Sequence, residues 1–326
     1  MERATPDLLV PYSVPGGAAM PEDSYKAAYA LVAVRPETNR VFYEGEILSA
    51  IRNRADVVYL ANLNGRLFLD RGILRDHYAS QYRMASDPRA AIKAYPELAS
   101  AFERHFGLPW EKAPVAGSFE AVERLGMAPE ELFSTIVPDV DFLACCGQTF
   151  KRVQGSYIVN YDLPAIESRY TREANVFVVL ARAEGVPENF YVGLNHAIYE
   201  EVLSRPETPI VFGDKLGGLA WSEKIRRTYH ISTNRLQAML DMADFVFTSH
   251  EDRLDVADTP LGRALVDAGA LGAEDLRRVK AAHLCRVAGP SEGFGLGALA
   301  FLPQAGIGLD FTALSALMRR IAVHLG

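Results

Sequence analysis

The stretch GDKLGGLAWSEKIRRTYHIST, residues 213–233, concentrates the residue types that bind and transform anions. Lys215, Lys224, Arg226 and Arg227 outnumber Asp214 and Glu223, so this segment is basic within a chain of net charge −7. Gly217 and Gly218 let a ligand approach the backbone closely. The strand-like TPIVF (208–212) delivers them at its carboxyl end, the edge where parallel α/β sheets bind ligands. A following helix would offer free N–H groups to an anion, and Ser232 and Thr233 stand where a helix cap belongs. His230 is the candidate general acid or base, since unperturbed imidazole titrates near neutrality. The implied chemistry is a phosphate or carboxylate held by Lys215, Gly217, Gly218, Lys224, Arg226, Arg227 and Ser232, with a proton moved by His230. The competing reading is a connector: a cap followed by a solvated basic helix face. There is no G-x-x-x-x-G-K-[ST] pattern, which excludes a P-loop.

A secondary candidate is CCGQTFKR (145–152), where Cys146 precedes Arg152 by six residues after a strand-like run. It resembles the signature loop of cysteine-based phosphatases, in which loop amides and the arginine hold a phosphate for thiolate attack. Cys145 stands where that loop has histidine, and Val153 where it has Ser or Thr. Adjacent buried cysteines at a strand end are the competing explanation. GFGLG (293–297) and GIG (306–308) lack the third glycine or the strand-then-helix context of a dinucleotide loop; they read as turns, with Asp310 capping the last helix. The seven histidines show no H-x-x-x-H or H-E-x-x-H spacing and there is no C-x-x-C, so no metal site is expected. Asp139 and Asp141, like Asp252, Asp255 and Asp258, read as solvated loop carboxylates. His77, beside Ile73, Leu74 and Tyr78, reads as a packed helix residue. No G-x-S-x-G elbow occurs, and no cofactor is named by any motif.

ALVAVRPE…YEGEILSAI resembles the opening strand and helix of nucleoside diphosphate kinases, over about a quarter of that family's domain. The family's essential histidine, in an H-G-S-D-like stretch, has no counterpart; YIVNYD offers Asn160 instead. The family's activity is therefore not carried over.

These candidates need elements to position them. Buried strands are predicted at 29–35, 55–63, 141–146, 155–161, 174–182 and 208–213. Helices are predicted at 41–54, 70–85, 88–106, 190–205, 233–245, 259–269, 273–288 and 310–325, the last with Phe311, Leu314, Leu317, Met318, Ile321 and Leu325 on one face. Alternation of strand and helix implies an α/β fold with a largely parallel sheet covered by helices and a helical C-terminal end. The expected layout is an arm at 1–21, a first α/β half at 22–165 and a second at 166–326. The segments Tyr29–His77 and Phe177–His230 run in the same order: Arg35 and Glu37 match Arg182 and Glu184, FYEG (42–45) matches FYVG (190–193), DVVYLANLNG (56–65) matches PIVFGDKLGG (209–218), and His77 falls on His230. Two duplicated β-α-β-α halves are one explanation, and the shared composition of any two such units is the other.

A chain of 326 residues with 49% apolar and 23% charged residues has the balance of a globular protein. The negative net charge argues against broad nucleic-acid binding. The longest apolar run, AAYALVAV (27–34), is too short to span a bilayer, and the N-terminal apolar run, ending at Pro11, is not a signal peptide. Three cysteines build no disulfide framework, so a reducing cytoplasm is the expected home. The expectation is an intracellular enzyme acting on a small anionic, phosphorylated metabolite. A non-catalytic binding or assembly protein is the alternative, and a homo-oligomer stays open.

Overall fold

The computed structural model describes residues 8–13, 26–39, 41–185, 189–203, 228–248, 252–288 and 299–322. In chain order the elements begin with β1 (Leu8–Ser13), β2 (Ala28–Val34), α1 (Val41–Arg52), β3 (Asp56–Asn64), α2 (Gly65–Asp70) and α3 (Ile73–His77). They continue with α4 (Ala79–Ser86), α5 (Pro88–Ala91), α6 (Pro96–Phe106), β4 (Val115–Gly117), α7 (Ser118–Leu125) and α8 (Pro129–Ser134). Next come β5 (Phe142–Cys145), β6 (Gln148–Val153), β7 (Ser156–Val159), α9 (Leu163–Ser168), β8 (Asn175–Ala183) and α10 (Phe190–Ile198). The last are β9 (Tyr229–Ile231), α11 (Arg235–Phe245), α12 (Pro260–Asp267), α13 (Ala273–Ala282), β10 (Leu284–Arg286), β11 (Leu299–Phe301), α14 (Leu302–Ala305) and α15 (Phe311–Ala322).

The chain divides into two units that interleave along the sequence. One comprises Met1–Ile73, Arg169–Gly269 and Gly306–Leu309; the other comprises Leu74–Ser168, Ala270–Ala305 and Asp310–Gly326. The sequence expectation instead places a single boundary near residue 165.

The first unit holds a five-stranded sheet in the order β1-β3-β8-β2-β9, and every adjacent pair is antiparallel. β2, α1 and β3 form one β-α-β unit, and β8, α10 and β9 form another. Each lies split, with a strand of the other between its own two, which is the plan of ferredoxin-like domains. One sheet face, carrying Ala28, Ala30, Val32, Val34, Val179 and Ala181, is covered by Tyr43, Ile47 and Ile51 of α1 and by Phe190, Leu194 and Ile198 of α10. On the other face α11 packs against β2. Every residue of β2 is therefore buried.

This arrangement corrects the expected parallel sheet. The fold is α/β, but its sheets are antiparallel or mixed, and among the described residues β4–β7 is the one parallel pair. The apolar runs of β2 and β8 report burial on both faces, which is commonest in parallel sheets but does not require one. β2 and β3 do run in the same direction across α1, yet β8 separates them.

The second unit holds a sheet ordered β4-β7-β6-β5 and the two-stranded ladder β10-β11. Phe102 is its aromatic hub, with ring centroids 4.9 Å from Trp110 and 5.0 Å from Tyr157. On the other sheet face Ala116, Ala121, Leu132, Ile158 and Tyr161 pack together. The two long helices predicted over 70–106 are broken into shorter ones. Gly72 takes φ 64 between α2 and α3. Pro88 and Pro96 each start a new helix, and the residues before them, Asp87 and Tyr95, are driven out of the helical region. α15 lies where it is predicted and buries Leu314, Leu317, Met318 and Ile321, with the Ala313 amide donating to Asp310 Oδ1 at 2.8 Å; Phe311 is only partly buried, and Leu325 lies outside the described residues.

Of the internal correspondences, the first two join like elements, β2 with β8 and α1 with α10. The third lies partly in 209–218, outside the described residues. The fourth sets His77, on a helix, against His230, on a strand.

Candidate functional site

β9 is short and lies on the edge of β2, pairing Tyr229, His230 and Ile231 with Val34, Ala33 and Val32. Side chains alternate along a strand. Tyr229 and Ile231 join the core shared with α1 and α10, where the Tyr229 hydroxyl donates to Asn195 Oδ1 at 2.7 Å. His230 therefore faces the other side of the sheet, toward α11. Its Nε2 lies 2.8 Å from Asp241 Oδ2. The Asp241 side chain is 2% exposed and that of His230 17%, so the carboxylate is sealed while part of the imidazole reaches the surface. Phe245, one helical turn beyond Asp241, places its ring centroid 6.1 Å from that of His230.

Ser232 completes the cluster. The Ser232 amide donates to Leu31 O, and the Leu31 amide donates to Ser232 Oγ at 3.0 Å, so the hydroxyl extends the β2–β9 ladder past the end of β9. That hydroxyl in turn donates to Asp241 Oδ2 at 2.7 Å. One carboxylate oxygen thus joins imidazole and hydroxyl. The order is His–Asp–Ser with the carboxylate in the centre, which is not the Ser–His–Asp relay of acyl-transfer enzymes. Such a group can hold an imidazole in one orientation and present it for proton transfer.

Of the sequence-predicted site, the structure brings His230 and Ser232 together on Asp241. Lys215, Gly217, Gly218, Lys224, Arg226 and Arg227 lie outside the described residues. Ser232 and Thr233 were expected to cap α11, but Asn234 is the cap, its side chain accepting from the Gln237 amide. Thr233 bonds Gln237 Oε1 through both its amide and its hydroxyl. Asp241 was missed. The signal was present: α11 reads RLQAMLDMADF, and Asp241 and Asp244 stand in a helix whose residues from Ala238 onward are all buried. A carboxylate there must have a partner.

Cys146 and Arg152 do not form a phosphate-cradling loop. Cys146 (φ 46) and Gly147 (φ 71) are the two turn residues of a hairpin joining β5 to β6, the left-handed pair that such a turn demands. Arg152 lies further along β6 and pairs with Asp141, guanidinium to carboxylate at 2.6 Å. Burial pushes the neighbouring Cys145 thiol up to about 12, and the Cys285 thiol likewise to about 12, so both are neutral near pH 7. His77 packs its ring edge-on against Tyr78 at 4.7 Å.

A second buried titratable group escaped sequence reading. Lys151, on β6, is 3% exposed and donates from Nζ to Leu132 O at 3.1 Å, near the C-terminus of α8. Its ammonium lies 3.9 Å from the centroid of the Tyr161 ring. Burial lowers its pKa to about 8, against the opposing effect of Asp162.

Comparison with known protein families, with characterised proteins and with solved structures finds no match to the chain. Among the described residues no helix is long and apolar enough to cross a membrane.

Proposed function

We propose that the chain is an enzyme acting on a small anionic, phosphorylated metabolite, with His230 as its general acid or base. Asp241 is the positioning residue, fixing the ring through the 2.8 Å contact that carries this reading. A buried carboxylate held also by Ser232 cannot swing away, so the imidazole is preorganised rather than searching among rotamers. Lys215, Arg226 and Arg227 supply the anion's countercharge in this reading, on the strength of their sequence positions alone. The near relation of β2 to β8 and of α1 to α10 supports an internal duplication as the origin of the first unit.

The test is thermal stability against nucleotides, sugar phosphates and carboxylic acids, with Arg226→Ala/Arg227→Ala in parallel. A ligand at about 100 times its dissociation constant adds about 2.7 kcal/mol, which raises the melting temperature by several degrees. A shift seen in the parent and lost in the double variant supports the anion site; turnover of that ligand, abolished in His230→Gln, would establish the acid–base role. If no compound moves the parent's melting temperature, the reading fails. The second reading, a binding or assembly protein, then gains, and it has an observation of its own: Ile136 and Val140 are 94% and 70% exposed.

A further inference from the structure

The four-stranded sheet of the second unit ends in two unlike strands. β4, at one end, is buried along its whole length, whereas every residue of β5, at the other, is at least partly exposed, Ala144 most of all. Edge strands of monomeric proteins are commonly blunted by a lysine, a proline or a bulge. β5 reads FLAC and carries none of these, and its register against β6 is unbroken.

The hairpin decides which backbone groups this edge presents. Cys145 and Gln148 flank a two-residue turn and exchange ladder bonds, and from there bonded and unbonded pairs alternate. Leu143 is thus bonded to Phe150, while Ala144 and Thr149 face each other without a bond. Thr149 bears this out. Its carbonyl accepts from the Asn160 amide at 2.9 Å and its amide donates to Asn160 Oδ1 at 2.9 Å, so both groups point away from β5. The amide and carbonyl of Ala144 therefore point out of the sheet, and among the described residues no hydrogen bond reaches them. The neighbouring Phe142 amide differs, since it donates to Asp139 O of its own chain.

We propose that β5 is a dimerisation edge, pairing antiparallel with β5 of a second copy about a two-fold axis beside Ala144. In that register each Ala144 amide donates to the Ala144 carbonyl of the other copy, so one residue satisfies both of its outward groups. An axis beside Leu143 would instead need the Phe142 amide, which is already engaged. The side chains agree with the choice of partner. Ala144 meets Ala144 without steric conflict, and Leu143 falls opposite Cys145. The nearest charge, Asp141, falls opposite Gly147 and is held by Arg152 of its own chain at 2.6 Å. Like charges are thus kept apart, and FLAC offers a charged foreign strand no counter-ion. Two four-residue strands alone fall short of the roughly 1,200 Å² that stable complexes bury. Ile136 and Val140, in the loop leading into β5, are 94% and 70% exposed and add apolar area. None of this rests on His230, which belongs to the other unit.

Sedimentation equilibrium of the full chain, with amide hydrogen exchange at rising protein concentration, tests this. The parent dimerises, and the Ala144 amide exchanges more slowly as it does. The Leu143 amide, bonded to Phe150 in either state, is unchanged. The Ala144→Pro change removes an outward N–H and no bond of the fold. It raises the dimer dissociation constant about tenfold or more, as expected for two backbone bonds lost at the axis. Ile136→Ser/Val140→Ser weakens the dimer several-fold, and His230→Gln leaves it intact. A parent that sediments as a monomer at about 500 μM overturns the proposal. So does a dimer whose Ala144 amide exchanges at a rate independent of concentration, or a folded Ala144→Pro variant that dimerises like the parent.

Discussion

At the scale of single residues, burial decides which titratable groups matter. Lys151 shows this most directly. In water its amine would hold a proton to pH 10.5, but packed beneath Tyr161 it releases it near pH 8. Between those values the unfolded chain binds more protons than the native one, so stability rises with pH across the window from about 8 to 10.5. Other groups titrate there too, so the informative quantity is a difference. We predict that Lys151→Met, compared with the parent by urea denaturation at stepped pH, loses this rise. The parent gains on the variant as pH climbs from 8 toward 10, and a constant gap would show that the amine is not held in its neutral form. Residue types and adjacency made His230 and Ser232 legible in the sequence. Asp241 was legible only as a carboxylate within an apolar helix that must find a partner; which partner it finds depends on α11 folding back over β2, and no local pattern encodes that return.

Among the elements, propensity and periodicity located the longer strands and helices, while backbone close approach set what joins them. β2, β3, β8, α1, α11 and α15 fall within a few residues of their predicted places because each has an apolar face or run long enough to read. β1, β4, β6, β9 and β10 were missed: β1 lies in the expected arm at 1–21, and β10 lies within the helix predicted at 273–288, which ends at Ala282. β4 is three residues long, and β6 carries a lysine, an arginine and a glutamine in six positions, so neither shows an apolar alternation. The junction of β4 with α7 rests on Gly117, where a Cβ would stand 1.7 Å from the Ala85 carbonyl oxygen. That atom is backbone and cannot rotate aside. Gly117→Ala should therefore cost several kcal/mol, above the usual range for a point change. Gly45 is the contrast: it lies inside α1 with nothing within 4 Å of the added atom. Gly45→Ala should stabilise by about 0.5–1 kcal/mol through helix propensity alone. Chemical denaturation of both variants checks the pair, and a similar small effect from each would show that the Gly117 backbone relaxes.

For the whole molecule, what the sequence could not reveal is the order in which strands meet, and the same order governs how the chain folds. β-α-β alternation predicts neighbours in sequence as neighbours in the sheet, but β8 comes to lie between β2 and β3 only after the chain has built most of the second unit. Leu31 finds Ser232 across 201 residues. β5, β6 and β7, in contrast, are joined by two tight turns, Cys146–Gly147 and Gln154–Gly155, whose residues all have positive φ. Loop closure grows slowly with length, at about 0.6 kcal/mol per doubling, so the long-range pairs are not forbidden thermodynamically. They are slow, because that entropy is lost before any contact compensates for it. The β5–β6–β7 meander should thus be protected early in refolding and the β2–β8–β3 ladder late. Pulse-labelling hydrogen exchange reads this directly, with Phe150 and Ile158 acquiring protection before Leu31 and Val179. Should Leu31 and Val179 be protected first, apolar collapse around β2 and β8 would have to precede local hairpin closure, and the fully buried run AYALVAV would be the nucleus of the fold.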